Sequence, residues 1–198
     1  MCGFSGFTNP SSEKMAESIL KNMMAPIKHR GPDAESIFIN DKIALGHYRL
    51  SIIDIDGGYQ PRIDNENKNY LVFNGEIYEY KKHAKLLQSY GINLKDQSDT
   101  EVLFQSLIHL GVEKTLEMID GMYAFVFYEG KNDTIWLIRD PMGEKPLYYS
   151  TFKNNIYFSS EASGVVASNT NKPKNINKDA LLQYLHLDYI PEEKSLFE

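Results

Sequence analysis

The sequence holds a single cysteine, and it stands at position 2. One thiol permits no disulfide within the chain, so a reducing, cytoplasmic setting is the expected home. No cluster of lysine or arginine occurs and the formal net charge is −6 at pH 7, which argues against a nucleic-acid partner. No apolar run reaches the ~18 residues a membrane span needs. The N-terminus lacks the basic and apolar blocks of a secretory signal, and Gly3 sits one place too late for myristoylation. The five histidines are scattered without ligand spacing, so no metal is expected. A Gly-rich phosphate loop is missing as well.

What remains is ordinary for a globular domain: 198 residues, 42% hydrophobic and 24% charged, enough to bury a sizeable core. Tyr (13) and Phe (10) are plentiful, which suits strands. "CGFSGF" reads as a first strand. A helix follows from Ser11 or Ser12 as N-cap and ends at Pro26 to Gly31. "ESIFIN" and "KIALGHYRLSIID" read as strands about Asn40-Asp41, and "GGYQPRIDNENKN" as a polar loop. "YLVFNGEIY" begins as a buried strand and is expected to break at Asn74-Gly75. Two helices follow, "EYKKHAKLLQSYG" and "TEVLFQSLIHLG", then four strands between Gly121 and Glu161, then a last helix before Pro191. This order predicts an α+β fold of largely antiparallel sheets rather than a parallel βαβ sheet.

Cys2 raises the sharpest question. A free cysteine is most often a small buried hydrophobe, and Phe4 and Phe7 would suit that reading. Chain ends, however, are usually exposed. With Met1 removed, Cys2 would carry a thiol and a free α-amine on one carbon. An α-amine titrates near ~7.7–8.0, so it can take a thiol proton at neutral pH and activate the sulfur. Such a nucleophile needs an oxyanion hole and a substrate clamp. Asn74-Gly75 is either a hairpin turn or a pair of donors aimed at one carbonyl oxygen. Arg49 is either a strand-edge surface residue or a two-pronged clamp for a carboxylate. Ser98 and Glu101 fit a capping box, which leaves Asp99 open as a partner for an ammonium. Together these residues suit a zwitterionic amino acid with a reactive side-chain carbonyl, and glutamine is the obvious one.

The segments "MCGFSGF", "HRGPD" (29–33), "HYRLSIID" (47–54), "FNGEIY" (73–78), "SDTE" (98–101), "GMYAFVFYE" (121–129), "RDPMGEKPLYY" (139–149) and "FSSE" (158–161) resemble, in that order, the class II glutamine amidotransferase domains. The branch they are most similar to is the glutamine-hydrolysing asparagine synthetases. The resemblance implies an N-terminal-nucleophile hydrolase fold, a four-layer αββα sandwich. It implies Cys2 as nucleophile, with its amine as base, and Asn74 and Gly75 as the oxyanion hole. It further implies Arg49 on the glutamine carboxylate, Glu76 and Asp99 at its amino end, and Leu50 and Ile52 lining the pocket through backbone. Arg30, Gly31 and Pro32 are expected to fix a turn, and "GEKPLYY" to face a partner domain. His47 is expected to pack or hydrogen-bond rather than catalyse.

The same resemblance makes residues 1–190 the amidotransferase domain and 191–198 the start of a linker to an ATP-dependent synthetase domain outside this chain. ATP and Mg²⁺ would belong to that domain, and no cofactor to this one. L-glutamine is the expected substrate, and ammonia the product for amidation of aspartate. An acceptor such as a sugar uronate, or a silent regulatory module, are the alternatives. The assembly stays open, a homodimer included.

Overall fold

The computed structural model describes residues 1–51, 57–168, 175–191 and 195–196. It divides into two compact units, Met1–Ser168 and Asn169–Glu198. The first contains β1 (Gly3–Thr8), α1 (Glu13–Met24), a 3-10 stretch (Ala25–Arg30), β2 (Ala34–Ile39), β3 (Ile43–Arg49), β4 (Arg62–Asp64) and β5 (Asn69–Ile77). It continues with α2 (Tyr80–Ser89), α3 (Asp99–Leu110), α4 (Val112–Met118), β6 (Gly121–Glu129), β7 (Thr134–Arg139), β8 (Tyr148–Phe152), β9 (Asn155–Ser159) and α5 (Ala162–Ala167). One sheet has the order β2-β3-β1-β9-β8 and the other β4-β5-β6-β7. Every described pairing is antiparallel.

Alternation along the strands builds the layers, because successive side chains leave a strand on opposite faces. Phe4, Ile43, Leu45 and Phe158 from the first sheet pack against Tyr70, Val72, Val126 and Tyr128 from the second. The intervening residues point the other way. Phe7, Ala44 and Tyr48 meet Leu20, Met23 and Met24 of α1. Leu71, Phe73, Phe125 and Phe127 meet Leu103, Phe104 and Leu107 of α3. The result is helix, sheet, sheet, helix, the expected four-layer α+β sandwich. Each buried Phe or Leu contributes roughly 1.5–3 kcal/mol. Among the described residues no helix is long and apolar enough to cross a membrane.

Three local expectations change. The polar loop after residue 57 contains β4, which adds a short edge to the second sheet through Arg62 opposite Leu71. Strand β5 does not break at Asn74-Gly75. Asn74 lies opposite Ala124 and Gly75 opposite Tyr123, so β6 holds the strand straight through the dipeptide. A side chain at Gly75 would place its Cβ 2.3 Å from the Met122 carbonyl oxygen; glycine is there for close approach, not for a turn. Helices α4 and α5 carry weak local signals, and α4 forms because Val112 is drawn into the core around Leu107 and Phe127.

Ser12 accepts from the Met15 amide and caps α1. Ser98 accepts from Glu101 N–H at 3.1 Å, but the reciprocal half of the capping box is not made. The Glu101 carboxylate turns instead to the Lys95 amide and the Gln105 side chain. The second unit carries α6 (Lys178–Leu187), capped by Asn177, whose own amide donates to Leu196 O.

Candidate active site

The same alternation gathers the site. Cys2 is in step with Phe4, His47 and Arg49 with Ile43 and Leu45, and Asn74 with Tyr70 and Val72. All therefore point into the space between the sheets, where the apolar filling ends. A cavity of about 110 Å³ opens there. Cys2, Arg49, Leu50, Asn74, Gly75, Glu76 and Asp99 line it. Ile52 lies outside the described residues.

Cys2 makes three polar contacts. Its Sγ accepts from the Leu50 amide at 3.3 Å, and its thiol faces the Leu50 carbonyl at 3.6 Å. Its carbonyl oxygen accepts from Arg30 Nε at 3.0 Å. Burial pushes the thiol above its ordinary pKa, and the charge of Asp99 adds to the rise. The Leu50 amide, the chain's terminal amine and Arg49 oppose it. The sulfur is therefore not a standing thiolate and needs a base. In this chain the Cys2 nitrogen is still acylated by Met1.

Across the cavity, Asn74 is 2% exposed and its Nδ2 has no hydrogen-bond partner among the described residues. A buried donor left unpaired costs about 1–3 kcal/mol. A donor so placed suits an oxygen brought by a substrate.

The other end of the cavity is charged. Arg49 is buried, with its guanidinium carbon 5.2 Å from the centre of the Tyr59 ring. Gly58 covers it at positive φ; a Cβ there would meet Arg49 Nη2 at 3.0 Å. Asp99 opens α3, where the helix dipole favours an anion. Its carboxylate accepts from the amides of Ile77 (3.2 Å) and Thr100 (2.8 Å). Burial nevertheless raises its pKa, with nearby Glu76 adding to the effect. An ammonium placed beside Asp99 and Glu76 would relieve that cost.

His47 is buried. Its Nε2 donates to Phe73 O at 3.3 Å, while Nδ1 has no partner among the described residues. Burial, helped by Arg49, lowers its pKa to about 4, against the opposing bond to Phe73. It is a neutral packing residue, as expected from the sequence.

Three residues of the site escaped the sequence reading. Arg30 does more than fix a turn: besides the Cys2 carbonyl it binds Glu161 at 2.9 Å, which joins "HRGPD" to "FSSE" at Cys2. Gln60 lines the cavity. Its Nε2 donates to Phe73 O at 3.0 Å and its Oε1 accepts from Phe73 N–H at 2.6 Å. This amide continues, with a side chain, the ladder that β4 leaves at Arg62. Lys145 was grouped with a partner-facing stretch. Tyr148 and Tyr149 of that stretch are exposed, whereas Lys145 is 7% exposed and lines the cavity. Asp140 accounts for this, because its carboxylate accepts from the amides of Glu144 and Lys145 and curls the loop inward. The binding of one carboxylate to the backbone amides of Tyr123, Glu144 and Lys145 has no signature in the string "RDPMGEKP".

A family model described as a glutamine amidotransferase domain matches residues 1–198. An asparagine synthetase [glutamine-hydrolyzing] 1 of Bacillus subtilis is 36% identical over 199 residues, covering 99% of this chain and 31% of that protein. A second B. subtilis protein, asparagine synthetase [glutamine-hydrolyzing] 2, is 35% identical over 91% of this chain and 24% of its own length. The chain thus spans about a quarter to a third of these curated relatives. Among solved structures, the glutamine phosphoribosylpyrophosphate amidotransferase of B. subtilis, complexed with ADP and GMP, superposes with a TM-score of 0.70. It shares 21% identity, over 89% of this chain and 45% of that one, a likeness of fold alone.

Proposed function

The chain belongs to the glutamine amidotransferase domain family, and from that membership we propose that the cavity between its sheets hydrolyses L-glutamine through a Cys2 thioester. One observation carries the reading: the only cysteine of the chain shares a cavity with a buried, unpartnered side-chain amide, Asn74 Nδ2.

Removal of Met1 frees the Cys2 amine, which takes the thiol proton. The thiolate attacks the glutamine δ-carbon and the carbonyl π-bond opens to an oxyanion, which accepts from Asn74 and the Gly75 region. The tetrahedral intermediate collapses to a thioester. The protonated amine returns its proton to the leaving nitrogen, and ammonia departs. Water, deprotonated by the same amine, cleaves the thioester to glutamate and restores the thiol. Arg49 is assigned the substrate carboxylate and Asp99 with Glu76 its ammonium. The opposite charges at that end of the cavity support the assignment.

For the longer protein, the reading is glutamine-dependent synthesis of asparagine. Residues 1–190 would supply ammonia, and 191–198 would begin the linker to a synthetase domain in the same chain. That domain would use ATP and Mg²⁺ to activate the β-carboxylate of aspartate. The full-length asparagine synthetases matched over nearly all of this chain support this.

The test is a Cys2→Ala chain with Met1 removed, set beside the wild type. Wild type should release glutamate from glutamine and lose this ability on alkylation by a glutamine chloromethyl ketone. Cys2→Ala should do neither. Glutamate release by Cys2→Ala would overturn the assignment.

A further inference from the structure

Lys145 is a buried cation to which the glutaminase reading gives no task. It shares the cavity with Cys2 and Asn74. Among the described residues its ammonium has one polar contact, the thioether Sδ of Met1 at 3.2 Å. No carboxylate pairs with it in that set. A thioether is a weak acceptor, and an ammonium buried without an anion is expensive. Yet the loop is built to deliver it. Arg139 Nε donates to Lys145 O at 2.8 Å, and Asp140 holds the Lys145 amide at 3.0 Å.

We propose that Lys145 is a positioning residue whose ammonium keeps the freed Cys2 α-amine unprotonated, and so ready to act as the base. This rests on the glutaminase reading and on loss of Met1. Loss of Met1 removes the one polar contact that the ammonium has among the described residues and exposes the amine in the same event. Five covalent bonds separate Met1 Sδ from the Cys2 nitrogen, so Lys145 Nζ lies within roughly 10 Å of that nitrogen. Two like charges at such a separation, at an effective dielectric near ~20, displace a titration by about one pH unit.

The other charged groups around Cys2 are engaged with other partners, although the charge of Arg49 also reaches its thiol. Arg30 is bound to the Cys2 carbonyl and to Glu161, which also meets His29. Arg49 lies toward Tyr59 and Gly58, at the substrate end. Asp99 and Glu76 are anions and would favour the protonated amine. Asp140, on the loop of Lys145 itself, is turned to the amides of Tyr123, Glu144 and Lys145. Lys145 is therefore the cation on the side that Met1 vacates.

The sign follows directly. A neighbouring cation disfavours the ammonium form of the amine, so Lys145 lowers the pH at which the base becomes neutral. Removing its charge moves that point up, and glutaminase activity on the acidic side falls about tenfold per unit. The experiment uses the full chain with Met1 removed, as wild type, Lys145→Met, Lys145→Gln and Lys145→Arg. It records glutamate release from pH 5.5 to 9 (about 0.5 unit apart, to resolve a one-unit displacement) and titrates the ¹⁵N-labelled Cys2 amine by NMR. In Lys145→Met and Lys145→Gln, the acidic limb and the amine titration should both rise by about one unit. Lys145→Arg should leave both in place. An amine titration unmoved in both neutral variants overturns the proposal, as does activity that falls equally at every pH. A displaced amine titration in a chain that hydrolyses no glutamine would sustain Lys145 and overturn the glutaminase reading.

Discussion

Replacing Gln60 by leucine tests how the strand of the proposed oxyanion hole is held. The Gln60 amide gives Phe73 two bonds, one to its carbonyl at 3.0 Å and one from its N–H at 2.6 Å. Leucine keeps the bulk and removes both. The Phe73 carbonyl retains His47 Nε2 at 3.3 Å, so its loss is partly covered. The Phe73 N–H keeps no such substitute, and an unsatisfied buried amide costs about 1–3 kcal/mol. Adding a fraction of the carbonyl bond, Gln60→Leu should destabilise the chain by about 2–3 kcal/mol. For a chain of this size that is roughly 4–12 °C in Tm. Asn74 is the next residue along β5. A misplacement approaching 1 Å at a reacting centre can cost ~100-fold, so kcat for glutamine should fall about 10–100-fold while KM stays nearly unchanged. Gln60→Glu sharpens the test. As a neutral acid the side chain can still donate to Phe73 O and accept from Phe73 N–H. As a carboxylate it faces Phe73 O with a buried charge and no donor. Its folded pKa is thus raised above the ~4.3 of an exposed glutamate. Gln60→Glu should be close to wild type in Tm at pH 4.5 relative to its own deficit at pH 7, losing stability as pH rises above ~4.3. Scanning calorimetry at both pH values and initial-rate glutamate assays would decide it. A Gln60→Leu chain with wild-type Tm and kcat would refute the reasoning.

Asn74→Ala removes the unpartnered donor and should cut kcat by about 10²–10³, or ~2.7–4 kcal/mol of barrier, with little change in Tm; steady-state kinetics beside calorimetry would show whether the two separate. His47 gains charge only near pH 4 when folded but near 6.5 when unfolded. The unfolded chain therefore takes up the proton first as pH falls; stability is complete above 6.5 and drains between 6.5 and about 4, by at most about 3.5 kcal/mol at ~1.4 kcal/mol per pH unit. Urea midpoints across that window should fall less steeply in His47→Gln, and parallel slopes would refute the buried neutral imidazole. Gly75→Ala drives a Cβ to 2.3 Å from the Met122 carbonyl and 2.7 Å from Tyr123 Cα. Both are backbone, so a loss of roughly 2 kcal/mol or more is expected in thermal unfolding, and an unchanged Tm would contradict the strand geometry.

Read alone, the sequence already determined the layered fold and singled out the candidate chemistry-bearing residues. Alternating apolar residues in the strands, and the 3.6-residue pattern of α1 and α3, are local properties and survive in a string of letters. So are the cysteine at position 2 and the Asn-Gly and Arg49 segments, each drawn from a small set of residue types that can perform the task. The tertiary structure decided what each of them meets. Asn74-Gly75 could have been a hairpin turn until pairing with Ala124 and Tyr123 made it a strand interior. Glu101 could have closed a capping box until Lys95, Gln105 and Arg62 competed for it. Gln60, Arg30 and Lys145 were illegible because their roles consist of bonds to backbone or to residues far along the chain: Phe73, the Cys2 carbonyl and Met1. A buried polar side chain is defined by its partner, and partners brought together across 13 to 144 positions leave no period or spacing in the sequence to read.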